Sequence, residues 1–170
     1  MAHQVALTNS YGHILEVWRE WGELTGRHYQ PVERYRTEGA RVLLLLMGSM
    51  AEVAEVAVDE MREADQAVGL LNLRLWRPFP FADLRAAIAG ADLVIVCDRA
   101  ISPGGAAGPV LAEVRSALYP LAQRPQVLGY IVGLGDRDVQ PQVFKDMVSH
   151  ALKEIEQGPG EEFYLVGVRG

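Results

Sequence analysis

Cysteine is almost missing from this chain. Cys97 stands alone, which excludes an intrachain disulfide framework. It also excludes an iron–sulfur cluster held by this chain alone, because such clusters take several thiolates. Cys97 closes the apolar run DLVIVC, so it reads as a buried, inert strand residue rather than a reactive thiol. Histidine is scarce too. His3, His13, His28 and His150 show no i, i+4 pairing and no neighbouring cysteine, so no metal site is expected. Positive charge is in deficit: 16 Lys and Arg against 22 Asp and Glu leave a net charge of -6. That argues against a nucleic-acid partner, whose binding surface is normally basic. Long apolar runs are missing as well. RVLLLLMGSM is strand-length, far short of the roughly 20 residues that cross a bilayer, so no membrane partner is expected. MAHQVALTNSYGH lacks a basic segment followed by an apolar one, so no signal peptide is read and a cytoplasmic protein is expected.

What is present suits a folded α/β chain. Of the 170 residues 49% are apolar and 22% charged, enough for a sizeable core. SYGHILEVWREWGELTG places Ile14, Leu15, Trp18, Trp21 and Leu24 at helical spacing. Ser10 is the expected N-cap and Gly26 the stop. Two tryptophans on a leading helix imply that it packs on something, either its own domain or a neighbouring one. RHYQPVERYRTEG reads as a polar connector. The organisation expected is therefore a helix and connector over 1–40, then an α/β domain over 41–170. From Arg41 on, strands and helices alternate. RVLLLLM, AVGLLNLRLW, DLVIVC, QVLGYIV and FYLVGV read as strands. SMAEVAEVAVDEMREAD, FADLRAAIAG, GPVLAEVRSALY and QPQVFKDMVSHALKEIEQ read as the helices between them. This β-α-β-α-β-α-β-α-β pattern predicts a largely parallel sheet covered by helices on both faces.

In such a sheet ligands collect beyond the carboxyl ends of the strands. The loops there carry Gly48 and Ser49; Asp98, Arg99, Ser102, Gly104, Gly105 and Gly108; and Gly133, Gly135, Asp136, Arg137 and Asp138. None completes a dinucleotide fingerprint. CDRAISPGGAAGP offers Pro103, Gly105 and Gly108 in that spacing, GLGDRD ends on Asp138, and MGSM has Gly48 alone. No Gly-Lys-Ser/Thr exists, and Ser49 and Ser102 lack the frame of a nucleophile elbow. Backbone N–H groups at a helix start can still bind an anion. Alternating Asp and Arg suit either a catalytic pair set or salt-bridged scaffolding at an interface. The residues alone stop there.

Read together, the loops resemble a known family. GRHYQPVERYRTEGARVLLLLMGSMAEVAEVAVDEMREADQAVGLLNLRLWRPFP, VIVCDRAISPGGAAGPVLAEVRSALY and YIVGLGDRDV follow in order the landmarks of the alpha subunit of pyruvate:ferredoxin oxidoreductase. Asp98-Arg99 with Ser102 looks more like the pyruvate type than the 2-oxoglutarate type. Two positions depart from the family's pattern: Ala100 replaces an asparagine and Asp136 a glycine. The resemblance implies the subunit's second domain: a three-layer α/β/α sandwich like the C-terminal domain of transketolase. Its sheet would have five strands, one of them antiparallel, behind a linker helix. It implies a component of an enzyme converting pyruvate, coenzyme A and oxidised ferredoxin to acetyl-CoA, CO2 and reduced ferredoxin. Thiamine diphosphate, Mg2+ and iron–sulfur clusters would sit on the assembled complex and none on this chain. Its partners would be a thiamine-binding beta, a gamma and a ferredoxin-type delta subunit. No catalytic residue is implied here, and the isolated chain is expected to be inactive. The glycine-rich loop would then be a close-packed crossover, with Asp98 and Arg99 tying it to its neighbours. The competing expectation is a free-standing nucleotide- or CoA-binding α/β module.

Overall fold

The computed structural model describes residues 1–158 and 160–168. Helix α1, Ala2–Thr25, leads into strand β1, Val32–Tyr35. There follow β2 Val42–Leu46, α2 Met50–Glu63, β3 Val68–Leu73, α3 Phe81–Ile88 and β4 Leu93–Asp98. The chain continues through α4 Pro109–Leu118, β5 Gln126–Ile131, a 3-10 turn Leu134–Asp136, α5 Pro141–Gln157 and β6 Tyr164–Leu165. The strands lie in one sheet in the order β1-β3-β2-β4-β5-β6. Only β1 runs antiparallel, against β3; the other neighbours are parallel.

The side-chain alternation of the central strands builds the two flanking layers. Leu44, Leu46, Leu70, Ile95 and Tyr130 face α2 and α5, whose Ala54, Ala57, Met147 and Phe144 fill that side. Leu43, Leu45, Leu71, Val94 and Val96 face α3 and α4, meeting Leu84, Ile88, Leu111 and Val114. Strands buried on both faces must be apolar at consecutive positions, which is why VLLLL and LVIVC read so plainly. Helices α4 and α5 each begin with proline in the first turn, where its missing N–H costs nothing. The architecture is thus the expected α/β/α sandwich with a mostly parallel sheet.

Three details differ from the sequence expectations. Among the described residues the sheet has six strands, not five. The added strand is Val32–Tyr35, which lies inside the segment read as a connector. Its sequence VERY buries Val32 on one side and leaves Glu33 half-exposed, a pattern too short and polar to stand out. Helix α1 starts eight residues ahead of Ser10, whose hydroxyl donates to the Leu7 carbonyl (2.7 Å) inside the helix instead of capping it. Its stop is as expected: Gly26 has φ 74° and donates its N–H to the Gly22 carbonyl. FYLVGV contributes only Tyr164–Leu165 to the sheet, because the chain turns at Gly167 with φ 71°. Among the described residues, no helix is long and apolar enough to cross a membrane.

Candidate functional site

Strands β2 and β4 are neighbours, yet the chain leaves them for opposite sides of the sheet. Between their carboxyl ends is the topological switch point, where open α/β sheets hold their ligands. A cleft of about 430 Å³ lies there, lined by Ser49, Met50, Glu52, Arg99, Asp136, Arg137 and Asp138, a size within the usual range of small-molecule sites. Three loops meet in it: those after β2, β4 and β5. The sequence therefore located Ser49, Arg99, Asp136, Arg137 and Asp138 in one place.

The arrangement is charged but loosely held. Arg99 and Asp136 approach to 3.9 Å, with 47% and 104% of their side chains exposed. An ion pair that open contributes little to stability. Asp138 accepts a hydrogen bond from Gln140 (3.1 Å). Ser49 stands at the start of α2 without a side-chain capping bond. Gly48 turns the chain there at φ 72° and borders a second hollow of about 750 Å³ with Glu33, Glu55, Asn72 and Arg74. In that hollow, burial and the neighbouring carboxylates of Glu52, Asp59 and Glu33 push the Glu55 carboxyl up. Sequence reasoning missed this hollow, since Glu33 rides on the strand that read as a connector.

The rest of the glycine-rich loop serves the fold. Asp98, 3% exposed, does not face the cleft as an interface residue would. Its Oδ1 accepts the Val110 N–H (2.9 Å) and its Oδ2 the Leu111 N–H (3.0 Å), so the carboxylate holds the first turn of α4. Burial pushes its carboxyl up while the two backbone donors pull it back, and the net direction is upward. Gly108 lies directly against it: a Cβ there would come within 2.3 Å of Asp98 Oδ2. Ser102, Gly104 and Gly105 form a tight turn, closed by the Gly105 N–H donating to the Ser102 carbonyl (2.8 Å), with Gly104 at φ 71°. This is the close-packed crossover that the family resemblance implied. Cys97, also buried, has its thiol pushed far up by that burial, so it forms little thiolate.

The third loop explains its glycines and its one oddity. Gly133, Gly135 and Asp136 have φ of 67°, 66° and 59°. Asp136 is thus a side chain in the left-handed region where glycine is the default and Asp the tolerated substitute. Asp136→Val should lower stability by about 1–2 kcal/mol, the scale of a left-handed β-branched residue, while Asp136→Gly should leave it unchanged or raise it slightly. Urea midpoints of the two variants check this; equal loss in both would remove the strain reading.

Known proteins share this architecture. The profile of the family described as pyruvate:ferredoxin oxidoreductase core domain II matches residues 40–144. Pyruvate synthase subunit PorA of Thermotoga maritima is 39% identical over 146 residues, covering 84% of this chain and 37% of the relative. The PorA subunit of Methanothermobacter thermautotrophicus is 37% identical over 145 residues, covering 84% and 36%. The chain therefore spans little more than a third of the length of these relatives. Among solved structures, a split-gene transketolase described as an inactive beta4 tetramer superposes with a TM-score of 0.55 at 17% identity, over 75% of this chain and 43% of that one. That likeness concerns the fold alone.

Proposed function

The chain belongs to the pyruvate:ferredoxin oxidoreductase core domain II family, and from that premise we propose that it is a component of a 2-oxoacid:ferredoxin oxidoreductase of the pyruvate type. Its role in this reading is positional. It completes the alpha subunit and presents the strand-end loops to other subunits, while the chemistry proceeds elsewhere. The family match over residues 40–144 carries the reading, together with the PorA relatives.

The residues present do not suit the iron–sulfur clusters of such an enzyme. Cys97 is the single thiol and is buried, whereas clusters need several accessible thiolates. In this reading thiamine diphosphate, Mg2+ and the clusters are held elsewhere in the assembled complex. No catalytic step is assigned to the chain.

Arg99 tests the interface role. Its side chain stands 47% exposed beside the cleft. Reversing its charge should disturb the fold by no more than about 0.5 kcal/mol, as for most surface changes. A partner surface matched to a cation should instead lose much of its affinity. Arg99→Glu is expected to reduce co-purification of partner subunits at least several-fold with little change in thermal midpoint. Parallel loss of stability and assembly would count against an interface.

The 430 Å³ cleft at the switch point favours one other reading, a nucleotide- or CoA-binding module. Calorimetry with coenzyme A, FMN and NAD separates the two. Saturable heat supports the module, and no heat with any of them supports the assembly role.

A further inference from the structure

Helix α1 meets the domain through residues on one side. The Tyr11 hydroxyl donates to the Asp83 carboxylate of α3. Trp18 meets Tyr29 edge to face, with centroids 6.2 Å apart. A Cβ on Gly22 would come within 2.4 Å of the His28 ring, and Gly22 is the one buried residue among the 24 of α1. The apolar side of the helix is wider than this contact. Leu7, Ser10, Ile14, Val17, Trp21 and Leu24 follow one another at alternating steps of three and four, the narrow a/d seam by which one helix meets another. Much of that seam is open: Val17, Trp21 and Leu24 are 45%, 46% and 84% exposed. Its one hydroxyl, on Ser10, is already satisfied by the Leu7 carbonyl, so covering it leaves no polar group unpaired.

The surface area leaves room for a partner. A folded monomer of 18.7 kDa presents about 8,300 Å² by the usual scaling with mass. This chain presents 9901 Å², about 1,600 Å² more than that scaling gives. A stable interface takes about 800 Å² from each partner, so the excess is enough for one. The charges of α1 then set the direction. Its acids, Glu16, Glu20 and Glu23, all lie in the C-terminal half. Two parallel copies would set Glu20 beside Glu20 and align the helix dipoles. Two antiparallel copies set each acidic half beside an acid-free half and beside the positive end of the other dipole. With the seam layers in step, Leu7 faces Leu24 of the second copy, Ile14 faces its Val17, and the small Ser10 faces its large Trp21. Glu20 on the flank borders His13.

We infer that α1 is a dimerisation helix, its seam covered by the same seam of a second copy of this chain lying antiparallel across a two-fold axis. The seam complements itself in shape and in charge, which an unrelated partner need not do. The inference rests on α1 and not on the strand-end loops, so it stands or falls apart from the assembly reading.

Sedimentation equilibrium of the purified 170-residue chain tests it. At roughly 50 µM, above the micromolar Kd of the weaker interfaces of this size, the expected mass is about 37 kDa, twice 18.7 kDa. Val17→Glu should give the single-chain mass while keeping the helical circular dichroism of the wild type. Leu24→Lys serves as the second variant should Val17→Glu lose its fold. Val5→Glu, on the same helix but off the seam and 50% exposed, should remain a dimer. Oxidation of an equimolar mixture of Leu7→Cys and Leu24→Cys chains reads the direction. The mixed disulfide should exceed either like-with-like product several-fold, since only close cysteines can bridge, and the buried Cys97 does not compete. A single-chain mass for the wild type at that concentration would overturn the proposal, whatever other protein binds α1. So would a dimer mass that survives both seam variants, or a majority of like-with-like disulfides.

Discussion

Asp98→Ala should cost about 2–4 kcal/mol, because it leaves two buried backbone N–H groups without acceptors, each worth roughly 1–3 kcal/mol. Val110 and Leu111 are 6% and 0% exposed, so water cannot readily replace the lost carboxylate. Both oxygens are in use. Asp98→Asn keeps one carbonyl acceptor but turns an amide N–H2 toward the other donor, so its cost should be smaller yet clear. Gly108→Ala attacks the same contact from outside, since its new methyl would meet Asp98 Oδ2, Cγ and Cβ at 2.3, 2.4 and 2.6 Å. Because the two positions share one contact, their effects should not add. Chemical denaturation of the three single variants and the Asp98→Ala/Gly108→Ala pair measures this. A loss below about 0.5 kcal/mol for Asp98→Ala, as for ordinary surface changes, would show that the carboxylate does not hold α4.

Gly129→Val should lower stability by about 1–3 kcal/mol through overpacking, although valine is a better strand former than glycine. Packing decides the sign. Gly129 sits in β5 beside Val96 of β4, and a Cβ there would come within 2.1 Å of Leu111 Cδ2. Leu111 is fully buried and its own N–H is fixed by Asp98, so it has little room to yield. The cause can be isolated. Leu111→Ala alone should cost about 2–5 kcal/mol as a buried cavity. In the double variant the valine should fill part of that space, so the total should fall short of the sum. Strict additivity would mean that Leu111 is not what the valine strikes.

These two sites also mark what the sequence could and could not disclose. Strands β2 and β4 were legible because burial on both faces demands unbroken apolar runs, and VLLLL and LVIVC meet that demand. The helix stop at Gly26 was legible because left-handed glycine is a local requirement. Strand β1 was not, since its four residues owe their conformation to pairing with β3, a contact some forty residues away. The start of α1 was obscured because Ser10, a good N-cap by type, bonds back within the helix.

The candidate site divides along the same line. Parallel alternation alone puts Ser49, Arg99 and Arg137 at the strand ends, and they meet in one cleft. Asp98 and Arg99 looked alike in sequence, a charged pair in a loop. As adjacent residues at the end of a strand they point to opposite sides. One is buried under α4 and the other is open beside the cleft. Alternation predicts that they part, but not which of them finds a helix terminus to satisfy.

The central claim is that this chain is a positional component of a larger 2-oxoacid-oxidising assembly. Pyruvate-dependent reduction of a viologen dye, with coenzyme A, thiamine diphosphate and Mg2+ supplied, tests it most directly. It should be measured on the purified chain and on the material that co-purifies with it from native cells. The expected result is no turnover by the chain alone and turnover by the co-purified assembly. Turnover by the isolated chain, or an inert co-purified fraction lacking thiamine- and ferredoxin-type subunits, would contradict it.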